Sequence, residues 1–328
     1  MKRGATSGGS SQAPVSALRA SAYRIPTDAP EADGTFAWDA TTLVVVEVDA
    51  GGDTGIGYTY SDACIVALIQ GALAACVLNH DGLDVGAHWQ RLQRQVRNLG
   101  RAGLAATAIS AIDCALWDLK AKLLGVPLVG LLGALRPAVP AYGSGGFTTY
   151  TNQRLQQQFA GWVAQDGCRW VKMKIGSEPD KDPARVAAAR AAIGGAGLFV
   201  DANGAFTPQR ALYYAQRFAE HEVSWFEEPV SSDDEAGLRG VRERVPAGME
   251  IAAGEYGYTL DDFRHLLAAG RRRRTAGRRE PLRRHHRLSA GRRAVRRVSR
   301  AAVRALRTGV ASARRVRGAA VAPSGVVP

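Results

Sequence analysis

The sequence predicts an α/β protein: an incomplete parallel β/α barrel of the TIM type, an α+β domain before it, and an Arg-rich, disordered segment after it. Three observations carry that expectation. Four short apolar runs, at residues 170–176, 198–203, 225–229 and 251–255, each close on charge: Lys172 and Lys174, then Asp201, Glu227 and Glu255. The steps are 26 residues from Asp201 to Glu227 and 28 from Glu227 to Glu255, near the roughly 30 residues of one strand–helix unit. Helix-compatible stretches lie between the runs, and a βαβα alternation implies a parallel sheet.

In chain order, residues 1–14 read as a flexible leader. They are rich in Gly and Ser, and no hydrophobic stretch follows Lys2 and Arg3, so they do not resemble a secretory signal. Residues 15–137 form the α+β domain. Thr41 to Val48 is β-branched and apolar, residues 49–53 read as its turn, and 55–60 as a return strand. Residues 28–35, with Pro30 and Gly34, are expected to form a loop between the first two strands. Helical patterning covers 63–78, 90–96 and, most strongly, 105–124, which stops at Gly125 and Pro127.

The barrel is expected over 138–270, its first strand at 138–142 and a glycine loop at 143–146 that lacks the spacing of a phosphate-binding P-loop. Helices fit 152–164, 182–192, 208–220, 233–244 and 260–269. No apolar run approaches the roughly 20 residues of a membrane span. The four cysteines (Cys64, Cys76, Cys114 and Cys168) lack paired spacing and read as free buried thiols of a cytoplasmic protein.

Charge is divided unevenly. Residues 271–328 contain 19 Arg, no Lys and one acid, Glu280, for a net +18. The remaining 24 basic and 29 acidic residues leave 1–270 at −5. The body is that of an ordinary, mildly acidic enzyme.

The strand-end residues suit one kind of chemistry. Barrel strands all run the same way, so their ends converge on one mouth. Three carboxylates meeting there offer hard oxygen ligands that suit Mg²⁺. A proton α to a carboxylate is very weakly acidic, and a divalent cation on the carboxylate stabilises the enediolate left by its removal. Lysine titrates near 10.4, too high for a base at neutral pH, but a second ammonium two residues away disfavours its charged form.

Taken together, these motifs resemble the enolase superfamily, and most closely its mandelate racemase and muconate-lactonizing group. Residues 108–133, running from the third helix into Pro127 and Leu128, resemble that group's segment joining a capping domain to the barrel. The resemblance implies a modified (β/α)₇β barrel with an N-terminal capping domain. It implies Mg²⁺ held by Asp201, Glu227 and Glu255, Lys174 as proton-abstracting base, and Lys172 as its neighbour and as a contact to the substrate carboxylate. It also makes Asn203 a polar partner at the mouth, while Glu228 pairs locally or supports the ligands from behind. Asp113 and Asp118 are expected to serve packing, not the mouth.

After Gly270 the character changes: 58 residues contain no Asp, Asn, Ile, Phe, Trp, Tyr or Lys. A shifted reading frame accounts for this. Codons able to encode 276–288 also read, one base on, as Gln-Ala-Asp-Val-Ser-Arg-Cys-Gly-Gly-Ile-Thr-Gly, a strand end with its Asp and a glycine turn. Those for 302–308 can give Pro-Ser-Ala-His-Cys-Ala. The family's His–Asp pair would then straddle Ala305/Leu306 and Arg278/Arg279, and this chain, lacking both and its last strands, is expected not to turn over.

The expected activity is Mg²⁺-dependent abstraction of a proton α to a carboxylate, of the acid-sugar dehydratase type. The alternatives are a racemase or epimerase of a 2-hydroxy acid, an inactive truncated product, or, from another class, an Arg-rich nucleic-acid binder. The last lacks aromatic interleaving and any recognised module. A cycloisomerase is disfavoured because the shifted frame restores a His–Asp pair. The expected partner is a small carboxylate, with no membrane, and homo-oligomers are plausible for the intact fold.

Overall fold

A computed structural model describes residues 12–269. Residues 1–11 of the leader, the Arg-rich segment and the two shifted-frame positions lie outside the described residues. Two compact units are present, one up to Ala253 and one from Gly254.

The first unit opens with an antiparallel sheet, β1 (Val15–Ala32), β2 (Ala37–Ala50) and β3 (Asp53–Tyr60), in that order. Alternation along β2 puts Val44, Val46 and Val48 on one face, all fully buried. Four α-helices follow: α1 (Ile65–Leu68), α2 (Val85–Gln95), α3 (Leu104–Leu123) and α4 (Leu128–Leu132). The sheet face packs on the α3 stripe Ala108, Ala111, Ile112, Ala115, Leu116 and Leu119, each fully buried. Burying each Val, Leu or Ile of this kind contributes about 1.5–3 kcal/mol.

Three expectations for this domain change. The loop placed at 28–35 is strand as far as Ala32, because β1 and β2 pair down to Ala32 opposite Ala37. Asp33 makes the tip, its Oδ1 accepting the N–H groups of Thr35 and Phe36 at 2.7 and 2.8 Å. The helix placed at 63–78 is instead α1, a π turn (Ile69–Leu73) and a 3₁₀ turn (Ala74–Cys76). The cysteines expected to be buried are not: Cys64 is exposed, and Cys76 and Cys114, like Cys168 further along the chain, are half-buried.

The second sheet is parallel, β4 (Gly143–Gly145), β5 (Trp170–Lys174), β6 (Gly197–Asp201), β7 (Val223–Glu227) and β8 (Glu250–Ala252), in chain order. Between them run α5 (Asn152–Ala164), α6 (Asp182–Ile193), α7 (Pro208–Ala219) and α8 (Glu235–Arg242). Thr151 and Thr207 cap α5 and α7 by accepting the N–H groups of Arg154 and Arg210. Val171, Met173, Leu198, Val200 and Phe226 are fully buried, as are Leu155, Phe159, Ala189 and Phe218 of the helices.

The first barrel strand falls at Gly143–Gly145 and not at 138–142. Low strand propensity hides it, but close approach requires those glycines: a Cβ at Gly143 or Gly145 would lie 2.5 or 2.7 Å from the ring of Trp162.

The second unit's described helix is α9 (Leu260–Ala269), entered where Asp262 Oδ2 accepts the N–H groups of Tyr258 and Thr259. Among the described residues no helix is long and apolar enough to cross a membrane.

Candidate active site

Parallel register turns the strand-end residues into rows. Lys172 pairs with Phe199, and Phe199 with Trp225; two residues on, Lys174 pairs with Asp201, and Asp201 with Glu227. Side chains two apart share a sheet face, so one row stands above the other on the face turned from the helices.

The upper row is a network of charge. Lys174 Nζ donates to Asp201 Oδ2 at 2.7 Å and to Asn203 Oδ1 at 2.8 Å. Lys172 Nζ reaches up from the row below to Asp201 Oδ2 at 3.1 Å and Glu227 Oε2 at 2.6 Å. Asp201 is fully buried, and its Oδ1 accepts the Asn203 N–H at 3.1 Å. Burial pushes the Asp201 carboxyl up, but Lys172 and Lys174 outweigh it and hold the group below its ordinary range. Burial likewise opposes the charge on Lys172, yet Asp201 and Glu227 raise its proton affinity above that of an ordinary lysine.

The strand ends are bent to hold these groups. Asn203 and Glu228 lie at φ 45° and 38°, a left-handed conformation uncommon outside glycine and concentrated at functional sites. The ladder continues past the strands: Ala202 N–H donates to Glu227 O at 3.1 Å, and Glu228 N–H to Ala252 O at 2.8 Å. Glu228 is fully buried.

Within the first unit, Asp201 and Glu227 offer the start of a cation site: a carboxylate oxygen of one lies within 4.8 Å of a carboxylate oxygen of the other. Two ligands of one Mg²⁺ ion, each at 2.0–2.1 Å, stand at most about 4.2 Å apart, so this spacing is of the order that a shared cation needs. The all-oxygen donor set is that of a hard cation.

Two further features support the mouth. Asp182 Oδ2 accepts the Gly176 N–H at 2.8 Å, and Arg185 donates to the carbonyls of Tyr150, Phe147 and Gly146 at 2.7, 3.0 and 3.4 Å. The β1–β2 hairpin tip also seats on the strand ends: Thr148 N–H donates to Ala32 O at 2.9 Å and Thr148 Oγ1 to Asp33 O at 3.1 Å. Sequence reasoning passed over Trp225, whose indole N–H donates to Glu227 Oε2 at 3.2 Å. Its place two residues before Glu227 was the available signal. Asp118, as expected, serves packing: its Oδ2 accepts the Ile56 N–H at 2.9 Å and pairs with Lys122.

This architecture and donor set define a class. "Mandelate racemase / muconate lactonizing enzyme, N-terminal domain" matches residues 24–133, and "Enolase C-terminal domain-like" matches 154–273. The chain belongs to the mandelate racemase and muconate-lactonizing group of the enolase superfamily. Among individual proteins, it is 36% identical over 78% of its length to a 3,6-anhydro-alpha-L-galactonate cycloisomerase of Streptomyces coelicolor, of which it spans 72%. A mandelate racemase/muconate lactonizing enzyme-like protein from Rubrobacter xylanophilus is 51% identical, with a TM-score of 0.76 over 78% of this chain and 72% of its own. An L-talarate/galactarate dehydratase mutant liganded with Mg and L-glucarate is 25% identical, with a TM-score of 0.75 over 82% of this chain and 72% of its own.

Proposed function

We propose that this chain carries the proton-abstracting half of a Mg²⁺-dependent acid-sugar dehydratase acting in the cytoplasm. The observation that carries the reading is the contact of Lys174 Nζ with Asp201 Oδ2, at 2.7 Å: the base stands beside a cation ligand. Asp201, Glu227 and Glu255 would hold Mg²⁺, which when bound supplies positive charge to the substrate carboxylate. Lys174 takes the proton from the carbon next to that carboxylate. Asn203 orients the Lys174 amine through its Oδ1. Lys172 stays charged and meets the substrate carboxylate, and Glu228 supports the strand end from behind. In the chain with its frame restored, a general acid encoded beyond Gly270 would protonate the β-hydroxyl, which leaves as water when the β C–O bond breaks; the 2,3-enol then takes a proton at carbon 3 to give a 2-keto-3-deoxy acid.

A cycloisomerase is the second reading, favoured by the Streptomyces coelicolor relative. It uses the same proton abstraction but loses no water. One experiment addresses the shared step and the outcome. Aldonates and aldarates are incubated with Mg²⁺ in D₂O, using the chain with its reading frame restored after Gly270 and its Lys174→Ala variant. Exchange at the carbon α to the carboxylate should occur in the first and vanish in the second. A 2-keto-3-deoxy product identifies a dehydratase, an isomer of unchanged mass a cycloisomerase, and an inverted centre a racemase. Full exchange in Lys174→Ala would assign the base elsewhere.

A further inference from the structure

Beneath the charged row lies an aromatic one. Phe199 stacks on Trp225 with centroids 5.4 Å apart and planes at 29°, and Tyr142 meets Phe199 edge-on at 5.5 Å. Lys172 Nζ stands 5.5 Å from the Tyr142 ring centroid. The stack against Phe199 fixes the plane of the indole, and with it the direction of its single N–H. That N–H meets Glu227 Oε2 at 3.2 Å, the oxygen that also receives Lys172 Nζ at 2.6 Å.

The two donors differ in kind. Lys172 ends a flexible stem, and its ammonium is shared between Asp201 and Glu227. An indole is rigid, donates one hydrogen bond and accepts none. A carboxylate held at one oxygen by such a donor cannot turn freely, so its other oxygen keeps a constant direction. Groups that orient a ligand in this way commonly account for about 10–100-fold in metal affinity.

We propose that Trp225 is a positioning residue for the cation: its N–H, locked in place by Phe199, sets the rotation of the Glu227 carboxylate and so the affinity for Mg²⁺. The inference rests on the reading of Glu227 as a Mg²⁺ ligand, and the experiment separates the two.

Mg²⁺ binding is measured by isothermal titration calorimetry on the full 328-residue chain, on Asp201→Asn and on Trp225→Phe. Phenylalanine keeps an aromatic ring against Phe199 and removes only the donor, so a role in packing alone would leave affinity unchanged. Binding should be saturable in the unaltered chain and lost in Asp201→Asn. It should weaken about tenfold in Trp225→Phe, with unchanged melting temperature. A Trp225→Phe affinity within about twofold of the unaltered chain, well short of that tenfold loss, overturns the positioning role and leaves the metal site standing. Binding that ignores Asp201→Asn, or is absent altogether, overturns both. If Trp225→Phe does not fold, benzothienylalanine at 225 replaces the N–H by sulfur in the same outline. A loss of affinity there supports the positioning role, and an unchanged affinity overturns it.

Discussion

Lys174 Nζ lies 2.7 Å from Oδ2 of Asp201, so the proposed base and a proposed cation ligand are bonded to one another. The Lys174 side chain is 13% exposed and that of Asp201 not at all, so solvent screens the pair weakly. An ammonium in that position competes with a second cation for the same oxygen. Lys174→Met should therefore bind Mg²⁺ more tightly than the unaltered chain, by roughly tenfold or about 1.4 kcal/mol, while losing α-proton exchange. Calorimetry reads the first effect and deuterium incorporation the second. Weaker Mg²⁺ binding in the methionine variant would mean that Lys174 organises the ligands and does not compete for them.

The hairpin tip should tolerate no side chain at Gly34. A Cβ there would fall 2.3 Å from Ala202 O and 2.6 Å from Ile175 O, both backbone atoms next to Asp201 and Lys174. Gly34→Val must lift the tip from the strand ends or displace them, at a cost of about 1–3 kcal/mol. Urea denaturation measures this, and hydrogen exchange at Thr148, whose N–H is bonded to Ala32 O, should rise with it. An unchanged urea midpoint would show that the tip is loosely seated.

Asp182 sets a pH dependence of stability. Burial pushes its carboxyl up to about 7, against the backbone N–H of Gly176 and nearby Arg185, which lower it, and with Glu178 raising it further. Unfolded, the group titrates near 3.8. Between these values the folded state holds a proton that the unfolded state has released. The contribution to stability is therefore greatest below about pH 4, declines as pH rises toward 7, and is flat above. Asp182→Asn, which keeps an oxygen for the Gly176 N–H, should abolish that slope and gain on the order of 2–4 kcal/mol over the parent at pH 7 relative to pH 4. Parallel urea midpoints for the two proteins across that range would show that Asp182 is ionised in the fold.

Much of the barrel could be read from the sequence because each unit repeats one pattern: an apolar run, a charged end, a helix. Asp201, Glu227 and Lys174 were legible because a parallel sheet converts equal spacing in sequence into adjacency in space. Gly143–Gly145 was not, since a strand made of glycine is selected by the bulk of Trp162 opposite it, a partner 17 to 19 residues away. The strand at 28–32 was hidden for a related reason: Pro30 signals a turn locally, while pairing of Glu31 with Trp38 and of Ala32 with Ala37 decides otherwise. Trp225 and Arg185 were missed because an indole in an apolar run and an arginine in a helix look like packing and solvent until their hydrogen-bond partners are known.

Beyond Gly270 the composition itself limits what the chain can do. Residues 271–328 hold 19 Arg and one acid, and guanidiniums without partners resist burial. A proton donor for the departing hydroxyl belongs, on the shifted reading, to codons straddling Ala305/Leu306, with its Asp partner across Arg278/Arg279. The proposed metal ligands and both lysines precede Gly270. The 328-residue chain should therefore bind Mg²⁺ yet release no keto-deoxy acid from any aldonate or aldarate. Moving the frame by one base after Gly270 should restore product formation, and sequencing the gene there should reveal the altered base count. Product formed by the unaltered chain would place the proton donor within the sequence as it stands, and the shifted-frame reading would have to be abandoned.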